Sequence, residues 1–299
     1  MGIMKIAITG AKGMIGRALV KKLSAKGNKV IECDRENCDV LDPGQLRKAF
    51  NGAEVVVHLA AALEEGADDI HEVNVKGTEN SLETSAENKV RQFIFLSTVG
   101  VYGNSPGMKD ENSPLNPQTE YEKSKAEAEK KVLSYQEVFH VTILRPALVV
   151  GDNKYWRGII KTISKGFPLI GSGKNSFQLL CLQDLVEAIR FCIDREECYG
   201  ETFIVAEKEA STLGGIVDHI RKELGMKGAT PKVPRFMGNA LVAANSLLEF
   251  NPLLKKSYVE RLAHERLYST KKLEALGWKH LHSAKECISR LVKDSRQSA

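Results

Sequence analysis

A glycine at every third residue, Gly10, Gly13 and Gly16 in "ITGAKGMIG", limits what this chain can fold into more than any other feature. The stretch lies between an apolar run, Lys5 to Thr9, and a segment whose apolar residues Met14, Ile15, Ala18, Leu19 and Leu23 share one helical face. A strand, a glycine turn and a helix bring unpaired backbone N–H groups and the positive end of a helix dipole to one point. That is a site for a phosphate. Gly10 is expected to permit the tight turn, Gly13 the close approach of a ligand, and Gly16 the close packing of helix on strand. The spacing is G-x-x-G-x-x-G and not the commoner G-x-G-x-x-G. A turn needing only conformational freedom would also produce it.

Short apolar runs continue to alternate with amphipathic stretches through the first half. Candidate strands are 5–9, 29–33, 54–60, 91–98 and 140–147. Near-continuous apolar strands separated by helices predict a parallel sheet covered on both faces. The expected class is α/β, a Rossmann-type doubly wound parallel sheet with a smaller C-terminal substrate-binding lobe. Residues 1–150 form the dinucleotide-binding domain, with a return segment at about 178–206; 151–177 and 207–299 form the lobe. Asp184 followed by Glu187 reads as a helix start. The Gly/Lys/Pro-rich run 225–234 reads as a linker.

The formal charge of +5 over 299 residues is modest, but from Pro252 onward eleven Lys/Arg stand against five Asp/Glu. Such a tail can meet phosphates, nucleic acid or an anionic membrane; a solvated helical face is the reading preferred here, with no nucleic-acid partner. The segment 236–250 is amphipathic enough to lie on lipid, though packing against the lobe or a partner subunit is the better account. Six cysteines without C-x-x-C spacing read as reduced thiols. No metal site is expected. The N-terminus lacks a secretory pattern, and no apolar run reaches the length of a spanning helix. A cytoplasmic protein is expected.

Two further features carry chemistry. Asp34 ends the second predicted strand, where a carboxylate can accept hydrogen bonds from an adenosine ribose and repel a 2′-phosphate. That favours NAD; NADP is the alternative, because Arg35 beside it could accommodate the phosphate. Asp39 and Val40 could hold the adenine edge, with a surface turn an equal account of Asp39. In "YEKSK", Tyr121 and Lys125 are four apart and so share a helix face, and Thr119 with Glu122 marks the start of that helix. An ammonium beside a phenol stabilises the phenolate and makes it a usable base. Taken alone, the spacing is common in helices.

With the glycines, however, the chain resembles the extended branch of the short-chain dehydrogenase/reductase superfamily, the NAD-dependent epimerase/dehydratase family. The matching stretches occur in the family's order: "TGAKGMIG", "HLAA" at 58–61, "NVKGT" at 74–78, "STVGVYG" at 97–103, "YEKSK", and "LRPALVVG" at 144–151. The resemblance implies that Tyr121 is the catalytic acid/base, that Lys125 lowers its pKa and holds the nicotinamide ribose, and that Thr98 hydrogen-bonds the reacting oxygen. It implies cofactor contacts at Gly10, Gly13, Met14, Ile15, Gly16, Asp34, Arg35, Asp39, Val40, Leu59, Ala60, Ala61, Asn74, Ser97 and Pro146, as well as Tyr121 and Lys125. His58 and His71 read as a core and a surface histidine. Family members often form homodimers, and a homodimer is expected.

Within the resemblance, dehydratases carry an Asp-Glu pair just after the threonine, where this chain has Val99 and Gly100. Epimerases of nucleotide sugars often have Asn where Leu148 stands, and Arg and His where Phe177 and Cys181 stand. The stretch from Arg157 to Ile189 nevertheless resembles epimerases of surface-polysaccharide synthesis, some acting on lipid-diphosphate sugars; Lys154, Arg157 and Lys174 could serve a diphosphate. The expected activity is a nucleotide-sugar or lipid-diphosphate-sugar 4-epimerase. A reductase of non-sugar ketones is the alternative, and a non-catalytic dinucleotide-binding scaffold the third reading.

Overall fold

The computed structural model describes residues 2–63, 69–238, 240 and 264–297. Its centre is a six-stranded parallel sheet built from β1 (Lys5–Thr9), β2 (Lys29–Cys33), β3 (Val55–His58), β4 (Gln92–Leu96), β5 (His140–Pro146) and β10 (Glu201–Val205). Their order across the sheet is β10-β5-β4-β3-β1-β2. The five strands expected from apolar runs are all present, β1 and β2 with the expected bounds and β3, β4 and β5 trimmed at their ends. The sixth falls inside the expected return segment.

Alternation along each strand supplies two cores. Ile6, Ile8, Val55, Val57, Ile94 and Leu96 face one layer, which holds Leu19 and Leu23 of α1 (Met14–Ser24) and Leu185 and Ile189 of α6 (Leu182–Cys192). Ala7, Val56, Phe93, Phe95, Val141 and Ile143 face the other. That layer holds Leu46 of α2 (Pro43–Ala49), Leu82 of α3 (Gly77–Glu87), and Ala128 and Val132 of α4 (Glu120–Leu133). A period of two explains why strands with both faces buried read as unbroken apolar runs. The chain runs outward from β1 to β2, then crosses to β3 on the other side of β1. The crevice outside the carboxyl ends of β1 and β3 therefore lies at the reversal of strand order, where ligands of such sheets bind.

A third, smaller core assembles from pieces after Val150. It joins Trp156, Ile160 and Ile163 of α5 (Lys154–Ser164), Leu179 of β9 (Leu179–Cys181) and Ile216 and Ile220 of α7 (Leu213–Glu223). Ile288 and Val292 of the C-terminal helix (Ala284–Gln297, here α9) complete it. Short pairings frame it: β6 (Leu148–Val150) with β9, β7 (Leu169–Ile170) with β12 (Lys232–Val233), and β8 (Ser176–Phe177) with β11 (Ser211–Thr212). A short helix, α8 (Lys271–Ala275), packs Leu273 into the first core. Among the described residues no helix is long and apolar enough to cross a membrane.

Three expectations need revision, and a fourth falls largely outside the described residues. Cys181 and Cys287 are joined as a disulfide with Cα atoms 5.9 Å apart, so only Cys33, Cys38, Cys192 and Cys198 remain free thiols. The partners are 106 residues apart, which leaves no local spacing to read. Helix α6 starts at Leu182 with Cys181 as its cap, not at Asp184. The Asp184 carboxylate is taken by tertiary partners instead, accepting from the N–H groups of Leu281 and His282. The run 225–234 is anchored, not a free linker: Lys232 and Val233 pair with Leu169 and Ile170, and Arg221 reaches the carbonyls of Lys227, Gly228 and Ala229. Of the amphipathic segment 236–250, residues 239 and 241–250 lie outside the described residues.

Candidate active site

Because all six strands run parallel, Gly10, Asp34, Leu59, Ser97 and Pro146, which end or follow five of them, come to one edge of the sheet. At the first of these ends Gly10 takes φ +68°, and a Cβ there would stand 2.9 Å from the Ala60 nitrogen. At Gly16 a Cβ would stand 2.3 Å from the Gly10 carbonyl oxygen. Both positions are closed to larger residues by the protein's own backbone. Gly13 differs: it caps α1 in an extended conformation, φ −66° and ψ 168°, supplies no side chain to the first turn, and is exposed. With no acidic residue in that turn either, the N–H groups at the start of α1, including those of Met14 and Ile15, lack a side-chain partner at the cap. This is the cradle expected for a phosphate.

Asp34 follows β2 directly. Its Oδ1 accepts from the Glu36 N–H at 2.9 Å and its Oδ2 lies 3.3 Å from Lys12 Nζ. The Glu36 hydrogen bond, with help from Lys12, holds the carboxyl below the usual aspartate range and therefore ionised. Arg35 points elsewhere, exposed and 3.9 Å from Asp69. Asp39 and Val40, expected at the adenine edge, also make local contacts. Asp39 Oδ1 accepts from the Leu41 N–H within its own turn. The Val40 side chain is buried, and its carbonyl receives the Asn80 side chain at 3.0 Å.

Beyond β3 the chain exits through Leu59, Ala60 and Ala61, and a buried polar chain fixes that exit. Thr9 Oγ1 accepts from the N–H groups of Leu59 and Ala60 at 3.2 Å and lies 2.9 Å from His58 Nδ1. His58 Nε2 lies 3.1 Å from Thr78 Oγ1, which donates to the Asn74 carbonyl at 2.7 Å. Burial, and secondarily the charge of Lys125, hold the His58 pKa down at about 3, so the ring is neutral. This is the core histidine expected; His71 is exposed beside Glu127. Asn74 sits on a π-helical turn, Glu72–Lys76, a distortion that often marks functional positions. Its amide clasps both backbone groups of Ala62 and donates to Ser124 Oγ at 2.9 Å. Asn74 thus ties the strand exit to α4.

Helix α4 opens with the capping box anticipated from Thr119 and Glu122, both reciprocal bonds being 3.2 Å. It carries Tyr121 at its rim, half-buried, and Lys125 one turn deeper. Lys125 is fully buried; its ammonium stands 4.0 Å above the Phe95 ring and donates no hydrogen bond to a described residue. Desolvation pulls its pKa down to about 7, against an opposing contribution from Glu129. Thr98 ends the β4 exit and caps a 3-10 turn, Val99–Tyr102, accepting from the Gly100 N–H at 3.0 Å. The Ser97 hydroxyl beside it is buried without a hydrogen-bond partner among the described residues. A buried hydroxyl left unsatisfied is costly. With the unpaired ammonium of Lys125 and the open N-terminus of α1, it fits a polar ligand laid along this edge.

Sequence reasoning passed over three residues that build the site. Thr9 and Thr78 form the polar chain just described, and Glu129 is buried and bound bidentately by Arg145. The available signal was a carboxylate four residues after the lysine, on the face that must be buried. Among the basic residues considered for a diphosphate, Arg157 is bound to Asp152 through two hydrogen bonds of 2.5 and 2.6 Å. Leu148 packs against the third core and Phe177 lies inside it.

Comparison with known proteins agrees with this geometry. The pattern of the NAD dependent epimerase/dehydratase family matches residues 6–206. Escherichia coli O157:H7 N-acetyl-alpha-D-glucosaminyl-diphospho-ditrans,octacis-undecaprenol 4-epimerase is 28% identical over 78% of this chain and 76% of its own. Vibrio cholerae UDP-glucose 4-epimerase is 29% identical over 68% of this chain and 70% of its own. Among solved structures, UDP-glucuronic acid 4-epimerase from Bacillus cereus, in complex with NAD, superposes with a TM-score of 0.77. It covers 98% of this chain and 99% of its own at 20% identity, a likeness of fold.

Proposed function

Because the chain belongs to the NAD-dependent epimerase/dehydratase family, we propose that it is an NAD-dependent 4-epimerase of a sugar carried on a nucleotide or lipid diphosphate. The observation that carries this reading is the arrangement of Tyr121 and Lys125 on one face of α4, beside the turn that begins at Thr98. The N–H groups at the start of α1 would hold the cofactor's diphosphate, Asp34 its adenosine ribose, and Lys125 its nicotinamide ribose. Bound nicotinamide supplies the hydride acceptor and, in the reverse step, the donor. Tyr121 removes the proton from the sugar hydroxyl during oxidation and returns one when the carbonyl is reduced again. Thr98 Oγ1 hydrogen-bonds the same oxygen and keeps it within reach of Tyr121. Lys125 in its protonated form favours the phenolate over the phenol.

The surroundings of Thr98 argue against dehydration. Val99 and Gly100 follow it where an elimination needs an acid, and neither side chain can protonate a leaving hydroxyl. The sugar-diphosphate relatives support epimerisation over simple reduction. A reductase of a phosphate-free ketone is the second reading, favoured by the apolar Leu148 and Phe177 and their packing into the third core.

An epimerase must keep its reduced cofactor until the hydride returns. Isomerisation of a sugar diphosphate is therefore expected without added nicotinamide and without net change at the reduced-nicotinamide absorbance band. Stoichiometric consumption of NADPH or NADH by a ketone would establish the reductase instead. For cofactor choice, Asp34→Ala is expected to weaken NAD binding about 10- to 100-fold, as loss of a charge-assisted hydrogen bond does, and to narrow the gap to NADP. Tighter binding of NADP than NAD by the unaltered protein would overturn that assignment and make Arg35 and Lys12 the determinants.

A further inference from the structure

Lysine and glutamate four residues apart on a helix ordinarily pair, and a buried ammonium gains most from such a partner. Lys125 and Glu129 have that spacing, and both are buried, yet they do not bond. Both oxygens of Glu129 are occupied by Arg145, with Nε 3.0 Å from Oε1 and Nη2 2.7 Å from Oε2. The same guanidinium donates through Nη1 to the Tyr102 hydroxyl at 2.7 Å and to the Glu111 carbonyl at 3.2 Å. Tyr102 closes the turn that begins at Thr98. One buried guanidinium, carried by β5, thus binds the helix of Tyr121 and Lys125 to the turn of Thr98.

We propose that Arg145 is a positioning residue that sequesters the Glu129 carboxylate. By doing so it leaves the Lys125 ammonium without a counter-ion, free to act on the Tyr121 phenolate and the cofactor ribose. The inference rests on the roles given above to Tyr121 and Lys125. Its physical content is a charge balance. Arg145 and Glu129 cancel one another in a closed, bidentate pair, and Lys125 stands as the uncompensated buried cation beside Phe95. Were Glu129 released, Lys125 four residues away on the same helix face, whose charge it already influences, would be a cation within reach. The resulting ion pair would fix the proton on the lysine and draw its field away from Tyr121. Among the described residues the titratable groups coupled to Lys125 are Glu129 on α4 and His58 on β3, which stays neutral above about pH 3; Tyr121 stands one turn before it on the same helix face.

The test is the titration of Lys125 itself, followed by NMR of protein labelled with 13C at lysine Cε and assigned by the resonance missing from Lys125→Met. Arg145→Gln frees Glu129 and is expected to raise the Lys125 midpoint by about one pH unit or more. Arg145→Lys keeps the charge but loses the fork, freeing one oxygen, and is expected to raise it by less. Glu129→Gln removes the carboxylate, and its midpoint should not rise. An unmoved or lowered midpoint in Arg145→Gln overturns the proposal. If that variant fails to fold, the absence of a rise in Arg145→Lys overturns it equally. A rise in Glu129→Gln matching that in Arg145→Gln would also overturn it, since loosened packing and water entry would then explain both. The measurement needs no substrate, so it can fail while the Tyr121 reading stands; that reading fails separately, on turnover.

Discussion

Tyr121→Phe is expected to fold, to bind NAD as the unaltered protein does, and to turn over its substrate about 10²–10⁴-fold more slowly, the usual contribution of a general acid–base group. The substitution deletes one oxygen from a half-buried residue at the rim of α4. The elements that hold the helix in place are elsewhere: the Thr119–Glu122 capping box, the Asn74–Ser124 hydrogen bond and the Arg145–Glu129 pair. None of them uses the phenolic oxygen, so loss of rate without loss of fold is the predicted signature. Lys125→Met should differ in kind, lowering both turnover and cofactor affinity, because its ammonium is assigned to both. Thr98→Val should cost less than either, since only one hydrogen bond to the reacting oxygen is lost. Near-native turnover by Tyr121→Phe on the true substrate would sink the mechanism and move the proton transfer to another group.

How much of this was legible in the sequence depends on the range over which each feature is encoded. The strands β1, β3, β4 and β5 are written as local apolar runs because both faces of the sheet are buried there, and the start of α4 is written as a capping box. Sheet order then follows from parallel strands and helical crossovers, and it carries the glycine loop, Asp34, Thr98 and Tyr121 to the same region without further information. What could not be read is pairing at a distance. The partner of Cys181 lies at Cys287. Asp184 had a plausible local role as a cap and was taken instead by the backbone of Leu281 and His282. Asp39 and Val40, read as the adenine edge, also serve local structure that the sequence does not show: Asp39 Oδ1 accepts from the Leu41 N–H and the Val40 carbonyl from the Asn80 side chain. The third core is assembled from short segments on both sides of the return strand; Lys154–Ser164 shows its own helical period in Trp156, Ile160 and Ile163, but no local pattern says which distant segments it meets.

The glycine loop can now be divided by cause, and the division is testable. Gly16→Ala would place a methyl 2.3 Å from the Gly10 carbonyl and 2.6 Å from the Ala11 carbonyl, neither of which can swing aside as a side chain would. The protein without cofactor should lose about 1–3 kcal/mol or more of stability, as overpacked cores do. Gly13→Ala meets a different situation. Its backbone angles suit any residue, and the one atom near the new methyl, the Gly10 carbonyl oxygen, is 3.1 Å away. Thermal or denaturant unfolding of the cofactor-free Gly13→Ala protein should therefore stay within about 1 kcal/mol of the unaltered chain, the scale of a change at a helix cap. Its affinity for NAD should fall about 10- to 100-fold, because the methyl stands where a diphosphate must approach the first N–H groups of α1. The two variants thus separate a glycine required by the fold from a glycine required by the ligand. If Gly13→Ala binds NAD as tightly as the unaltered protein while Gly16→Ala is destabilised, the three-residue spacing serves strand–helix packing alone. The diphosphate would then have to be placed elsewhere on the sheet edge.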